Sequence, residues 1–271
     1  CGHQWEMTKT TSISRIVCRK CTPYVKGKTQ AEIFKFVSAL ASCKLNDKSF
    51  LKDRKEIDIL CDEYKLAIEY NGLLYHSFGE SIYAKFDNTR IDSKYHLRKT
   101  QEVENKEYKL FHIFENEWID KDKKEIWKSI INNSLNSSDK IYARKCQIKE
   151  ISYLESSEFL IKNHMQGNCN SSIKIGLYYE NELVSVMTFR KHKDYEWEIA
   201  RFANKLYYNV IGGASKLLKY FERNYNPNTL LSYANRRWSQ GKLYDTLGFT
   251  FISNTTPNNF FFKINENILY P

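Results

Sequence analysis

Apolar and polar positions alternate along the chain in two adjacent stretches. In Glu56-Ile-Asp-Ile-Leu-Cys61, Ile57 and Ile59 face one way and Glu56 and Asp58 the other; in Leu66-Ala-Ile-Glu-Tyr70, Leu66, Ile68 and Tyr70 oppose Ala67 and Glu69. That period of two predicts paired strands, and a turn near Glu63–Tyr64 would set Asp58 opposite Glu69 on one face. Elsewhere the period is helical. Thr29-Gln-Ala-Glu32 has the form of a capping box, and Ile33, Phe34, Val37 and Leu40 follow at helical spacing. A second helix is predicted from about Asp92, with His96, Lys99 and Val103 along one side. Lys109–Phe114 then reads as a strand, and Ile126, Trp127, Ile130 and Ile131 mark another amphipathic helix.

The polar run Asn132–Asp139 marks a boundary. Beyond it Ser152-Tyr-Leu-Glu155 is a second capping box, and strands are predicted over Ile173–Tyr179, Glu182–Phe189 and Tyr195–Phe202. Gly212-Gly-Ala-Ser215 opens a helix, Leu230–Ala234 is a strand, and Ser239–Phe249 holds a short helix with a glycine stop before a final strand. The pattern predicts a small mixed sheet flanked by helices, followed by a separate mixed αβ domain: α/β and α+β in class. The expected division is 1–28, 29–135, a linker at 136–142, and 143–271.

Composition narrows the partners. The chain carries 42 basic and 32 acidic residues, a net charge of +10, which favours a polyanionic partner where a matching site is present. No apolar run is long enough to span a membrane and no signal peptide is visible, so the expectation is a soluble, intracellular protein. A start at Cys1 rather than Met suggests that residues upstream are missing. Four of the seven cysteines, Cys43, Cys61, Cys146 and Cys169, are scattered, and two of them sit in apolar runs that suit a buried thiol.

The chemistry concentrates on the paired strands. Two carboxylates at close range repel each other unless a cation lies between them, and paired acids followed by a histidine suit metal-assisted phosphodiester hydrolysis. Candidate residues are Asp58 and Glu69 for Mg²⁺, His76 or His96 for proton transfer, and Lys99 or Arg98 for the charge that develops on phosphate. Glu32 has two readings, a local helix cap or an acid reaching the site. His112 lies inside a strand and reads as a satisfied core or surface histidine.

At this point the residues resemble a known family. Glu32, Asp58, Glu69-Tyr-Asn-Gly, Tyr75-His76, Tyr95-His96-x-x-Lys99-Thr and Phe114-Glu-x-Glu-Trp118 follow the order seen in the very-short-patch-repair-like endonucleases. These include phage and intron homing enzymes and belong to the restriction-endonuclease-like superfamily. The resemblance implies an active site of Glu32, Asp58 and His76, with Mg²⁺ on Asp58 and His96 at a further site position. It departs at Asn71, where the superfamily pattern ends in lysine; Lys99 would then supply that charge. Cys1-Gly-His3-x-Trp5 with Cys18-Arg-Lys-Cys21 resembles the second half of a zinc ribbon, with a fourth ligand that is either His3 or an upstream cysteine. Arg15, Arg19 and Lys20 would make it an accessory DNA contact.

The C-terminal half resembles the GNAT acyltransferase fold. Asn209-Val-Ile-Gly-Gly-Ala214 approximates its pyrophosphate-binding turn, and Leu243-Tyr-x-x-Leu-Gly-Phe249 its late helix. Asn209 replaces the Arg or Gln of acyl-CoA binders, and a glycine pair before a helix is also an ordinary tight turn. Asn235-Arg236-Arg237-Trp238 is either a solvated turn or a contact to phosphates and bases. Three functions remain open: a Mg²⁺-dependent endonuclease on double-stranded DNA in a phage-infected or bacterial cytoplasm; a bifunctional protein with a CoA-dependent acyltransferase half; and a non-catalytic DNA-binding protein. Recognition sequence and oligomeric state are not written in the pattern.

Overall fold

The computed structural model describes residues 27–73 and 94–256. The expected zinc residues Cys1, His3, Cys18 and Cys21, and the candidate His76, lie outside the described residues. Helix α1 (Lys28–Ser38) precedes β1 (Lys44–Asp47), β2 (Ile57–Cys61) and β3 (Leu66–Asn71); α2 (Tyr95–Glu104) leads to β4 (Lys109–Phe114), then α3 (Glu115–Ile119) and α4 (Lys121–Ser134). The sheet order is β1-β2-β3-β4, antiparallel between the first three strands and parallel between β3 and β4. A parallel pair needs a crossover, and α2 lies within it.

The hairpin turns through a 3-10 segment at Asp62–Tyr64, with Lys65 in the left-handed region at φ 48°. Ile59 pairs with Ile68 and Leu60 with Ala67, so the next step of the register sets Asp58 against Glu69, as expected. The strict in–out alternation fails, because helices cover both faces. Ile59, Ile68, Phe111 and Ile113 pack under α1 and α4, against Ile33, Val37, Trp127 and Ile131. Ile57, Leu60, Ala67 and Leu110 pack under α2, against Val103. A sheet buried on both faces selects apolar residues at odd and even positions alike.

The capping box expected at Thr29 does not form. Gly27 is the N-cap, with no side-chain cap bond, and Thr29 and Glu32 lie inside the helix. The box at Ser152 does form: the Ser152 hydroxyl accepts from the Glu155 amide at 3.2 Å, and the Glu155 carboxylate accepts from the Ser152 amide at 3.1 Å.

The second half contains β5 (Asp139–Tyr142), β6 (Gln147–Glu150), α5 (Tyr153–Asn163), β7 (Ile173–Tyr179), β8 (Glu182–Lys191), β9 (Trp197–Asn204), β10 (Tyr208–Ile211), α6 (Gly213–Tyr225), β11 (Leu230–Leu231) and α7 (Lys242–Thr246). Its main sheet runs β11-β9-β8-β7-β6, antiparallel except for the parallel β9–β11 pair. Helix α6 packs on one face, where the Phe189 and Phe221 rings stack 3.7 Å apart; Phe159 and Leu160 of α5 pack on the other, with Val186 and Ala203. Residues 139–142, expected in the linker, are instead strand β5, paired in parallel with β10. Ile141 and Tyr142 are strand formers, but four residues are too short to show a period, and the register comes from that distant partner. The expected final strand is absent among the described residues after α7, where 250–256 carry no regular structure. The chain is therefore mixed αβ, with several sheets.

The two halves share apolar core. Met165, Leu206 and Trp238 pack into the α1/α4 layer, and Trp238 meets Trp127 edge-on at 5.7 Å. Tyr207 adds two bonds to α4, its amide donating to Ser129 Oγ at 2.8 Å and its hydroxyl to Glu125 at 2.6 Å. Trp127→Ala should therefore cost about 3–5 kcal/mol. Urea unfolding followed by fluorescence and far-UV circular dichroism should show one coincident transition. Separate transitions would mean that the shared core does not couple the halves.

Candidate functional site

Three titratable side chains stand in a row across the α2 face of the first sheet. Glu69 on β3 is paired in register with His112 on β4, and Asp58 on β2 is its neighbour on the other side. Asp58 Oδ2 accepts from the Tyr70 amide at 2.8 Å, and Glu69 Oε1 accepts from the Asp58 amide at 3.3 Å. Helix α2 closes the row from above. Its Lys99 Nζ donates to Glu69 Oε2 at 2.6 Å and to the Glu56 carbonyl at 2.7 Å, and both side chains of the ion pair are only 6% exposed.

Burial raises the Glu69 carboxyl to about 7; Lys99 opposes that rise and the Asp58 carboxylate adds to it. His96, on the same helix, is lowered to about 4 by burial and by the Lys99 charge, which leaves its ring neutral at neutral pH. The His96 ring packs edge-on against His112 at 5.1 Å and Phe114 at 5.7 Å.

His112, read from sequence as a satisfied core or surface residue inside a strand, is buried in β4 with both ring nitrogens partnered, and the register also sets it beside this group. The Thr100 hydroxyl donates to the His96 carbonyl at 2.8 Å, so it accepts from His112 Nε2 at 2.9 Å. That leaves His112 Nδ1 to accept from the Asn71 amide at 3.4 Å. Only its spacing hinted at this, since His112 lies in β4 opposite Glu69 once the parallel register is known.

Of the other expected site residues, Arg98 is exposed on α2, next to Lys99. Glu32 is not brought to the row. Its carboxylate accepts from Trp118 Nε1 and from Lys124 Nζ, each at 3.1 Å, on the layer covered by α1 and α4. Burial pushes the Glu32 carboxyl up, but those two bonds outweigh it and its pKa falls below the ordinary value.

Arg236, Arg237 and Trp238, expected as DNA contacts, are engaged within the protein. Arg236 pairs with Glu104 and Arg237 with Glu117, the latter at 2.8 Å. The Arg237 carbonyl accepts from the His112 amide at 2.9 Å, along the edge of β4. Trp238 lies in the core between the halves. The cause is partner choice: acids at 104 and 117, remote in sequence, stand where the arginines land.

No protein-family model matches the chain, and no curated protein matches it either. No helix among the described residues is long and apolar enough to cross a membrane.

A carboxyl whose folded pKa stands above its unfolded value holds its proton more tightly when folded. Between about 4.5 and about 7 this group therefore lowers stability as pH rises. Lys99→Met would leave the Glu69 carboxylate buried without its cation, costing about 3–5 kcal/mol at pH 8 and less at pH 5, where Glu69 is protonated. Urea titrations at the two pH values test this, and an equal loss at both would refute it. Arg237→Ala should cost about 1–3 kcal/mol through the unpaired Glu117. If DNA is bound, that variant should leave the salt dependence of affinity unchanged, and a slope reduced by about one unit would return Arg237 to the DNA path.

Proposed function

We propose that the chain is a Mg²⁺-dependent DNA endonuclease of the very-short-patch-repair-like kind, hydrolysing phosphodiester bonds. The observation that carries this reading is the row Asp58–Glu69–His112 with the Lys99 ammonium 2.6 Å from Glu69. Two carboxylates on adjacent strands with a lysine between helix and sheet are the residue types that such hydrolysis needs, and the +10 charge suits a polyanionic substrate.

The donor set fits a hard divalent cation. Asp58 and Glu69 offer oxygen ligands, the type that such a cation prefers. When bound, Mg²⁺ would polarise a phosphate oxygen and acidify a bound water. Lys99 holds the Glu69 carboxylate and the Glu56 carbonyl beside the row. His96 is neutral in its buried setting, so it has no proton to deliver, and its lowered pKa makes it a weak base. His112, locked by Thr100 and Asn71, positions the His96 ring. Glu32 stays outside the group, tied to Trp118 and Lys124. His76 and a zinc segment at Cys1, His3, Cys18 and Cys21 belong to the same reading through the family resemblance.

A second reading concerns the C-terminal half. The parallel β9–β11 pair at the sheet edge, and Gly212 at φ 77° before α6, favour a GNAT-like domain that binds CoA. Titration with acetyl-CoA, followed by calorimetry, distinguishes an acyltransferase half from one that only extends the DNA contact.

Supercoiled DNA incubated with the protein should be nicked or cut with Mg²⁺ and left intact with EDTA. Asp58→Ala should abolish cleavage while keeping DNA affinity, because it removes a metal ligand and no phosphate contact. Cleavage by Asp58→Ala at the wild-type rate would overturn the assignment.

A further inference from the structure

Cys43 and Cys61 lie outside the row of titratable groups, and the fold sets them face to face. Lys44 on β1 pairs with Leu60 on β2, so one further step of the antiparallel register places Cys43 directly opposite Cys61. Directly opposed residues point to the same face, and both thiols belong to the same apolar layer, under α1. The Ser38 hydroxyl lies 3.2 Å from Cys43 Sγ. Antiparallel partners hold their Cα atoms about 4.5–5.5 Å apart, which falls inside the range of about 4.4–6.8 Å that a disulfide spans.

The two thiols differ in access. Cys61 is fully buried, whereas Cys43 is half-buried at the start of the edge strand. We propose that Cys43 and Cys61 form a reversible dithiol–disulfide site, in which Cys43 reacts first with a small disulfide oxidant and Cys61 resolves the adduct. The Cys43 thiolate attacks one sulfur of R–S–S–R, forming a Cys43–S–S–R mixed disulfide and expelling R–S⁻. The Cys61 sulfur then attacks Cys43 Sγ, forming the protein disulfide; R–S⁻ leaves and takes up the Cys61 proton. Two protein thiols are oxidised and one small disulfide is reduced to two thiols.

The microenvironment supports that order of events. The hydrogen bond from Cys61, opposed by burial and aided by Ser38, lowers the Cys43 thiol to about 7, which leaves a large thiolate fraction at neutral pH. The same contact and burial push Cys61 up. A partly accessible, acidified thiol beside a resolving partner is the arrangement found at redox-responsive cysteines. Cys146 provides an internal contrast: its thiol donates to the Tyr142 carbonyl at 3.7 Å, and burial raises its pKa.

The test treats the full-length chain with oxidised glutathione at pH 7.5, followed by alkylation, proteolysis and mass spectrometry without reduction. A peptide pair joined through Cys43 and Cys61 is expected, with both sites lost to alkylation and recovered after dithiothreitol. The oxidised form should melt at a higher temperature, because the bond closes the loop between β1 and β2. Cys61→Ala should stop at a glutathione adduct on Cys43, and Cys43→Ser should carry neither the bond nor an adduct on Cys61. Should Cys61→Ala fail to fold, the wild-type map and Cys43→Ser decide the question. Undiminished alkylation of both sites in the oxidised wild type, or Cys43 joined to a different cysteine, would overturn the proposal.

Discussion

A carboxylate held under a helix on a sheet covered on both faces is expensive, and the first half of this chain is organised around meeting that cost. Glu69 reaches the α2 face with almost no contact with water, and burial drives its carboxyl toward the protonated state. Lys99 answers it with a close ion pair and spends a second hydrogen bond on the Glu56 carbonyl, at the entry to β2. One ammonium thus fixes α2 to two strands. A partner removed from such a pair leaves an uncompensated buried charge, so helix, crossover and strand register are held together. The neighbouring layer follows from that placement: once Lys99 sits on Glu69, the next residue, Thr100, lands on His112 in the paired register.

The sequence was legible where periodicity and local chemistry agreed. The β2–β3 hairpin, and with it the apposition of Asp58 and Glu69, follows from alternation around a turn. Strand β4 and the box at Ser152 were likewise local. The box at Thr29 was not, because Gly27 took the cap and drew Thr29 and Glu32 into the helix. The burial of His112 inside a strand was legible, but its apposition to Glu69 appears only when the parallel pairing of β4 with β3 is known. Strand β5 escaped notice for a related reason, since its pairing partner lies far along the chain.

The fate of Asn235–Trp238 shows how tertiary partners overrule composition. Two arginines and a tryptophan in a loop suit phosphate and base contacts equally well as they suit an internal clamp. Here Glu104 and Glu117 sit within reach, the Arg237 guanidinium lies over the Phe114 and Trp238 rings, and the indole enters a core. Each ion pair takes up one guanidinium nitrogen, and the arginine side chains keep exposures of 39% and 30%, so the loop's charge is divided between these acids and solvent.

That clamp also bears on how the halves depend on each other. The Arg237 carbonyl caps the His112 amide on the edge of β4, and the Gln240 side chain donates to the Tyr108 carbonyl just before that strand. An open strand edge invites pairing with another chain, and covering it removes that hazard. The strand so protected carries His112, whose ring abuts His96. The C-terminal half therefore does more than sit beside the candidate site: it supplies backbone and apolar contacts to the strand on which one end of the titratable row is built. Displacement of the Arg237–Trp238 segment would expose the β4 edge, remove Trp238 from the shared core and unpair Glu117 together. A rearrangement of the second half that reaches this segment is thus coupled to the geometry around His112.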